Sequence, residues 1–372
     1  MKLLEYEGKQ LFREAGIPVP RGITASDNRS VAKAAEDIGF PAVVKAQVLS
    51  GGRGKRGGIK IVNKTREARD MASFLFRAGL TGEAVKTILV EEGVNIDREF
   101  YLAVTVDTGI GAPVLMASAE GGVDIEKLAE DKIAIKPINI FLGLQAFDVR
   151  AAIKGWELEE EQIREIIAIA LELYSVFKDH DADLAEINPL GLTKEGVVLA
   201  LDSKVIINDN ALYRQKRFQV TRERFDNELE FKASEHNLSY VKLEGDIGLL
   251  CTGAGLTLAT LDLINDNGGS AANFLESGGA NYKNTYHGLE LVLSDPDVKV
   301  LFINTFGLVS RADVICRGLA DAIKKLKPTV PIVASIRGTG EEEARRIFKE
   351  ELGIEPFYNM IDGVKEAIKL AG

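Results

Sequence analysis

Cysteine, histidine and tryptophan are all scarce in this sequence. Cys251 and Cys316 are the two cysteines in 372 residues, too few for a disulfide framework, so a reducing compartment is expected with both thiols as buried fillers. His180, His236 and His287 share no metal-ligand spacing, and no nucleophile or catalytic histidine stands out. Excess basic charge is lacking too. With a net charge of -10, nucleic acid is not the expected partner, because phosphate binding draws on a basic surface. No apolar run is long enough to span a bilayer, and acids stand in Met1-Lys2-Leu3-Leu4-Glu5-Tyr6-Glu7 where a signal peptide would carry its apolar region. The expectation is a cytoplasmic protein with no membrane partner.

What is present is a globular composition, 46% apolar and 27% charged, in a chain long enough for two or three domains. The most informative run is Ala185-Glu186-Ile187-Asn188-Pro189-Leu190, with Asp202 downstream. The apolar runs Ala182 to Ile187 and Val197 to Leu201 read as a hairpin, with Pro189-Leu190-Gly191 and Glu195-Gly196 as its turn chemistry. Such a hairpin puts Glu186, Asn188 and Asp202 together on one face. An amide and a carboxylate suffice for magnesium, which keeps phosphate and water as its other ligands. A plain acidic strand end is the alternative.

Upstream, Pro41 to Val48 reads as a strand, Ser50 to Gly58 packs five glycines into nine residues, and Ile59 to Val62 resumes a strand. Glycines there let backbone N–H groups approach an anion, and Arg53 and Lys55 add charge. Lys45, inward on the preceding strand, is placed to meet a phosphate as a point charge. It is not a Walker loop, since no Ser or Thr follows the lysine. Glu91 and Glu99, at strand ends, are candidates for hydrogen bonds to adenine or ribose. The spacing of Ile163, Ile166, Ile167, Ala170, Leu171, Tyr174 and Phe177 predicts an amphipathic helix.

The charged stretch Arg214 to Ser239 marks a boundary, giving domains at 1–235 and 240–372. Beyond it strands at 246–251, 271–275, 298–304 and 330–336 alternate with helices at 256–265, 282–293, 312–325, 341–351 and 363–370, a parallel, doubly wound pattern. Four strand ends run into glycine-bearing loops: Thr252-Gly253-Ala254-Gly255, Ser277-Gly278-Gly279, Phe306-Gly307 and Gly338-Thr339-Gly340. In a parallel sheet all four share the carboxyl edge, where ligands bind.

Together with Leu4-Glu5-Tyr6-Glu7-Gly8-Lys9-Gln10-Leu11-Phe12, Ala119-Glu120-Gly121-Gly122-Val123-Asp124 and Ala272-Asn273-Phe274-Leu275, these motifs make the chain resemble the β subunit of succinate–CoA ligase, the succinyl-CoA synthetase family, over nearly its whole length. The resemblance implies an α/β fold: an N-terminal ATP-grasp domain (α+β, two subdomains) followed by a flavodoxin-like domain with a doubly wound parallel sheet. It implies ATP, magnesium and CoA as reactants, and a small carboxylic acid as substrate. It also implies an α subunit, as αβ or α2β2, that carries the CoA site and a phosphorylated histidine. By position, Lys45, Gly52, Arg53, Gly54, Glu91, Val94 and Glu99 would hold the nucleotide, Asn188 and Asp202 the metal, and Glu186 would face the partner's histidine. Pro20 resembles ATP-using rather than GTP-using relatives. Thr252, Leu308, Val309, Ser310 and Arg337 fall on the acid side.

Departures from the family pattern cluster there, at Thr252, Glu276, Leu308 and Ser335, with a new Arg337 able to pair with an additional substrate carboxylate. An ADP-forming succinate–CoA ligase subunit is the expected activity, with a malate– or citrate–CoA ligase subunit as the alternative. A non-catalytic nucleotide-binding regulator is the reading of another class, and intact Glu186, Asn188 and Asp202 speak against it. A carboxylate–amine ligase sharing the ATP-grasp domain is disfavoured by the alternating domain after Ser239.

Overall fold

The computed structural model describes residues 1–80, 82–123, 125–218, 220–225, 227–277 and 284–372, with residues 130 and 223 as backbone alone. The chain divides into two compact units, Met1–Val220 and Thr221–Gly372.

The first unit opens with helix α1 (Glu5–Glu14), strand β1 (Gly22–Ala25), helix α2 (Asn28–Ile38), strands β2 (Ala42–Gln47) and β3 (Ile59–Val62), helix α3 (Thr65–Ala78) and strand β4 (Thr87–Glu92). The four strands form an antiparallel sheet in the order β1-β4-β2-β3. Helix α2 starts where Asp27 accepts from the N–H groups of Arg29 and Ser30 at 2.8 Å, satisfying donors that a helix start leaves open. Val31, Ala34 and Ala35 of α2, with Ala68, Met71, Ala72 and Leu75 of α3, recur at helical spacing and close one core on this sheet.

A second sheet follows from β5 (Ile96–Asp107), β6 (Ala112–Ser118), β7 (Ala134–Pro137), helices α4 (Ala146–Ala152) and α5 (Glu160–Asp179), and strands β8 (Ala182–Thr193), β9 (Val198–Ala200) and β10 (Lys204–Ile207). Its order is β10-β8-β5-β6-β7, with β9 also on β8. The expected stripe on α5 is confirmed at Ile166, Ile167, Ala170 and Phe177, which are buried, while Leu173 and Val176 join it and Ile163, Leu171 and Tyr174 pack at its margin.

The expected hairpin is corrected. β8 does not end at Ile187 but runs through Pro189 to Thr193, and its turn lies at 193–197, around Glu195-Gly196, rather than at Pro189-Leu190-Gly191. Strand β9 pairs with Leu190 to Leu192, and Ala182 to Glu186 pair instead with β10. A proline mid-strand reads as a break because it lacks an N–H.

The second unit holds α6 (Glu228–Glu235), β11 (Ser239–Lys242), β12 (Ile247–Cys251), α7 (Ala254–Asp266), β13 (Ala271–Glu276), α8 (Thr285–Leu293), β14 (Val300–Gly307), α9 (Ala312–Leu326), β15 (Ile332–Gly338), α10 (Glu341–Leu352) and α11 (Met360–Ala371). Strands β13, β12, β14 and β15 are parallel neighbours in that order, and β11 adds an antiparallel edge on β13. Purely parallel alternation is thus modified by β11, a four-residue strand that begins where the charged stretch ends. Helices α8, α9 and α10 pack on one face and α7 and α11 on the other, so alternate residues of β14, such as Leu301 and Phe302, enter different cores. The division at Val220/Thr221 precedes the expected limit at 235, because α6 packs on β11 and α8. The expected start of a helix at Tyr282, and Gly278, Gly279 and Asp124, lie outside the described residues.

Cys251 and Cys316 are both buried and unpaired with each other. Among the described residues no helix is long and apolar enough to cross a membrane.

Candidate functional site

Six charged side chains of the first unit meet in one buried group. Glu5 and Lys9 come from α1, Lys45 from β2, Arg53 from the glycine loop, Glu91 from β4 and Asp202 from the link between β9 and β10. The Lys45 ammonium donates to Glu5 Oε1 at 2.9 Å and to the Leu201 carbonyl at 2.7 Å, and pairs with Glu91 Oε2 at 2.6 Å. Lys9 lies deeper, 2.6 Å from Glu91 Oε1, 2.9 Å from Glu5 Oε1 and 2.8 Å from the Leu201 carbonyl. Arg53 Nη1 reaches Glu5 Oε2 at 2.8 Å and the Ala46 carbonyl at 3.1 Å.

Three cations therefore balance three carboxylates, the arrangement that buried charge requires. Burial pushes the Glu5 carboxyl up, but Lys45, Lys9 and Arg53 together hold it well below the usual range. Burial pulls Lys45 down, and Glu5, Glu91 and Asp202 outweigh it and raise that ammonium. Lys9 is lowered, chiefly by burial.

The glycine loop folds back on itself, with the Arg53 carbonyl accepting from the N–H of Gly58 at 2.8 Å and of Arg56 at 3.2 Å. Gly52 and Gly57 take φ of 72° and 77°, a region that side chains disfavour. Gly52 and Gly54 are exposed, so their backbone faces solvent beside Arg53. Glu91, expected to reach adenine or ribose, spends its carboxylate on Lys9 and Lys45. Val94 is half-buried in the β4–β5 connection. Glu99 lies on β5 opposite Gly191, its carboxylate so close to Gly122 that a Cβ there would sit 2.3 Å from Oε2.

On β8, Ala185 and Ile187 enter the core, which turns Glu186 and Asn188 to the other face. Glu186 stands opposite Lys204 and Leu190 opposite Ala200, and the Leu201 N–H donates to the Pro189 carbonyl, so the same register sets Asn188 across from Asp202. The Asn188 amide clamps the segment after β6, accepting from the Gly122 N–H at 2.8 Å and donating to the Val123 carbonyl at 3.0 Å. Asp202 Oδ1 accepts from the Ser203 N–H at 2.7 Å, and burial pushes its carboxyl up, with Glu5 adding to the effect.

Both are hard oxygen donors with lone pairs to spare beyond these bonds, as magnesium needs. Among the described residues no three His, Cys, Asp or Glu side chains gather as a cation site, so any metal here relies on this amide and carboxylate. Glu186 is raised by burial, against the pull of Lys204, and accepts from the Tyr101 hydroxyl at 3.2 Å.

In the second unit the strand order changes direction between β12 and β14, the switch point at which ligands bind in such sheets. Thr252, just past β12, is buried there, and its Oγ1 accepts from the Phe306 N–H at 2.9 Å, tying the two strand ends together. Glu276 Oε1 accepts from the Gly253 N–H at 2.8 Å, setting its own carboxylate at the start of α7. Gly307 and Gly338 approach so closely that a Cβ on Gly338 would meet the Gly307 carbonyl oxygen at 2.3 Å. Leu308 and Val309 are 74% and 92% exposed, and Ser310 follows them. Ser335 is buried in β15, opposite Asn304. Arg337 donates to Glu341 at 3.0 Å and to the Tyr358 carbonyl at 3.2 Å.

Glu5, Lys9 and Tyr101 were not expected at the site. Their signal was present for the first two: Glu5, Gly8, Lys9, Leu11 and Phe12 form the buried face of α1, and two charges on a helical apolar stripe seldom go unpaired.

Two domain families match the chain: the ATP-grasp domain over residues 2–192 and the CoA-ligase domain over residues 250–359. The chain is also 42% identical to the ADP-forming succinate–CoA ligase β subunit of Ignicoccus hospitalis, across 100% of this chain and 99% of that one. It belongs to the β-subunit family of ADP-forming CoA ligases. Within that family it is 45% identical to an ADP-forming sulfoacetate–CoA ligase subunit, SauC of Bilophila wadsworthia, across 100% and 99% of the two chains. It is 43% identical to the corresponding subunit SqwK of an Acholeplasma species, across 100% and 92%. The ATP citrate lyase of Methanothrix soehngenii, solved with citrate and coenzyme A, shares the fold at a TM-score of 0.76 and 21% identity, over 99% of each chain. The family's ATP-grasp half is the first unit, whose two sheets are the two expected subdomains, and its CoA-ligase half lies in the doubly wound second unit.

Proposed function

We propose that this chain is the nucleotide-binding β subunit of an ADP-forming ligase that joins CoA to a short acid with two anionic ends, sulfoacetate first among the candidates. The convergence of Lys45, Arg53 and Asp202 in one hydrogen-bonded group supports the phosphoryl-transfer half of this reading. Lys45, Arg53 and the backbone N–H groups of Gly52 and Gly54 take the phosphate charge. Glu91 acts through Lys45 rather than on the base. The Asn188 amide oxygen and the Asp202 carboxylate would hold magnesium, which would supply positive charge against the phosphates.

Glu186, two residues from Asn188 on one strand face, meets the imidazole of the α subunit's histidine. As a carboxylate it orients the ring and favours its cationic form. Tyr101, donating to Glu186, fixes that carboxylate. The α subunit brings the histidine and the principal CoA contacts.

The choice of acid is supported by two relatives, at 45% and 43% identity, that are named for sulfoacetate. It is supported also by the position of the departures from the succinate pattern, since Thr252 and Phe306-Gly307-Leu308 flank the switch point. Sulfoacetate thus displaces succinate as leading candidate, with malate and citrate behind it. A tetrahedral sulfonate and a planar carboxylate ask for different donors, so one loop set cannot serve both equally.

The test is CoA-dependent ADP release by the chain purified with its α subunit, with sulfoacetate, succinate, malate and citrate. The expected result is a kcat/KM for sulfoacetate at least about tenfold above the others. Succinate as the best acid would overturn the choice of acid alone. No turnover with any of them, while ATP still binds, would overturn the ligase reading in favour of a regulator.

A further inference from the structure

We infer that Glu5 is a positioning residue for phosphoryl transfer, holding Lys45 and Arg53 in a single geometry. The inference rests on the reading of Lys45 and Arg53 as nucleotide ligands.

The Glu5 carboxylate is fully engaged. Oε1 has Lys9 and Lys45, each at 2.9 Å, and Oε2 has Arg53 Nη1 at 2.8 Å and Gln47 Nε2 at 3.2 Å. Lys45 and Gln47 donate hydrogen bonds to the carboxylate, one to each oxygen, and Lys9 and Arg53 complete its surroundings as ion pairs. With a side chain 1% exposed, Glu5 has no means of touching a nucleotide and acts through its cations. It touches all three cations of the group, whereas Glu91 is held by Lys9 and Lys45.

Its own position is fixed from several sides. The Ser203 hydroxyl donates to the Glu5 carbonyl at 2.8 Å, the Tyr6 N–H donates to Gln47 Oε1 at 3.1 Å, and the Leu3 N–H donates to the Val205 carbonyl at 2.9 Å. Helix α1 packs so tightly that a Cβ on Gly8 would come within 2.6 Å of Ser203 Oγ. Residue 203 adjoins Asp202, so α1 ties Lys45 and Arg53 to the chain segment that carries the metal-side carboxylate.

The charge count gives the inference a signature. Three cations face three carboxylates, and removing the Glu5 charge leaves a surplus positive charge beside the phosphate position. Attraction for ATP is kept or increased, while the orientation of Lys45 and Arg53 is lost, and misplacement of this kind lowers the rate of the chemical step. A residue that bound ATP directly would raise KM instead, and one that only stabilised the fold would leave kinetics at 25 °C unchanged.

The experiment compares Glu5→Gln, Lys45→Met and their double variant in the complex with the α subunit. Glu5→Gln is expected to lower kcat about tenfold or more, with KM for ATP not raised and KM for acid and CoA unchanged. In the Lys45→Met background the same substitution should cost no more than about twofold further, since residues acting as a unit are non-additive. A Glu5→Gln complex with kcat within about twofold of the parent, or with its full loss retained in the Lys45→Met background, overturns the inference. Should Glu5→Gln fail to assemble, Glu5→Asp keeps the charge and withdraws it by one methylene. A Glu5→Asp complex that melts with the parent and retains its full kcat is equally fatal. If Lys45→Met itself leaves ATP kinetics unchanged, the nucleotide reading falls, and that result is distinct from a silent Glu5 beside a damaging Lys45 change.

Discussion

Arg53 donates through Nη2 to both carboxylate oxygens of Asp202, at 2.9 and 3.1 Å, so the side chain assigned to phosphate and the one assigned to magnesium are each other's partner. On the proposed assignment, phosphate at Arg53 and metal at Asp202 would both draw on this contact, and the two binding events would be linked, each lowering the cost of the other.

That linkage is measurable in Asp202→Asn. Nucleotide affinity in EDTA should stay within about threefold of the parent, while the tightening produced by magnesium should vanish and kcat/KM should fall roughly hundredfold or more. A fluorescent ADP analogue titrated with and without magnesium separates the two effects. Tightening that survives in the variant would remove Asp202 from the metal.

Lys9→Met should destabilise the first unit by about 3 kcal/mol, because Glu5 and Glu91 would then share Lys45 as their common ammonium, and breaking buried pairs costs about that much. For a unit of this size the melting temperature should drop by about 6–12 °C in calorimetry. A drop under about 2 °C would mean that the group is more hydrated than its burial implies.

Glu186→Gln should stabilise the protein at pH 8 and not near pH 4.5. Burial raises the Glu186 carboxyl, so the folded state holds this proton more tightly than the unfolded state does. Its contribution is favourable below the unfolded value and is lost as pH rises through the folded one. Glutamine does not titrate, so its advantage appears only above that range. Melting curves at the two pH values give the difference directly. Turnover should fall in the same variant, a site whose function opposes its stability.

Arg337→Ala should change KM for the acid by less than about threefold, because Glu341 and the Tyr358 carbonyl anchor its guanidinium. Thr252→Val should act more strongly, since it strands the Phe306 N–H that Thr252 Oγ1 receives. Steady-state kinetics with the acid as varied substrate tests both, and a large Arg337 effect would return that residue to the substrate.

Much of the fold was legible where one period dominates. The stripe on α5 and the alternation after residue 240 follow directly from side-chain spacing, and the four parallel strands fell where expected. Legibility failed where local signals contradict the final pairing. Pro189 reads as a turn, yet β8 passes through it because its neighbours on both sides are paired. Strand β11 is only four residues long, and its pairing with β13 is a long-range fact that no window of ten residues contains. For the site, residue type and spacing pointed to Lys45, Arg53, Asn188 and Asp202. The role of Glu91 and the presence of Glu5 and Lys9 depend on three distant segments closing around one ammonium, and only the folded chain supplies that.

The exposure of Leu308 and Val309 bears on how such a protein diverges. Side chains that lean on nothing can be exchanged without disturbing a core, so the edge of the second unit is free to drift toward a new acid. Among the charges around Glu5, Lys9 and Glu91, a single exchange strands a buried ion, and drift there is arrested. New substrates should therefore arise in this lineage by rewriting exposed loops, while the phosphate machinery is inherited whole.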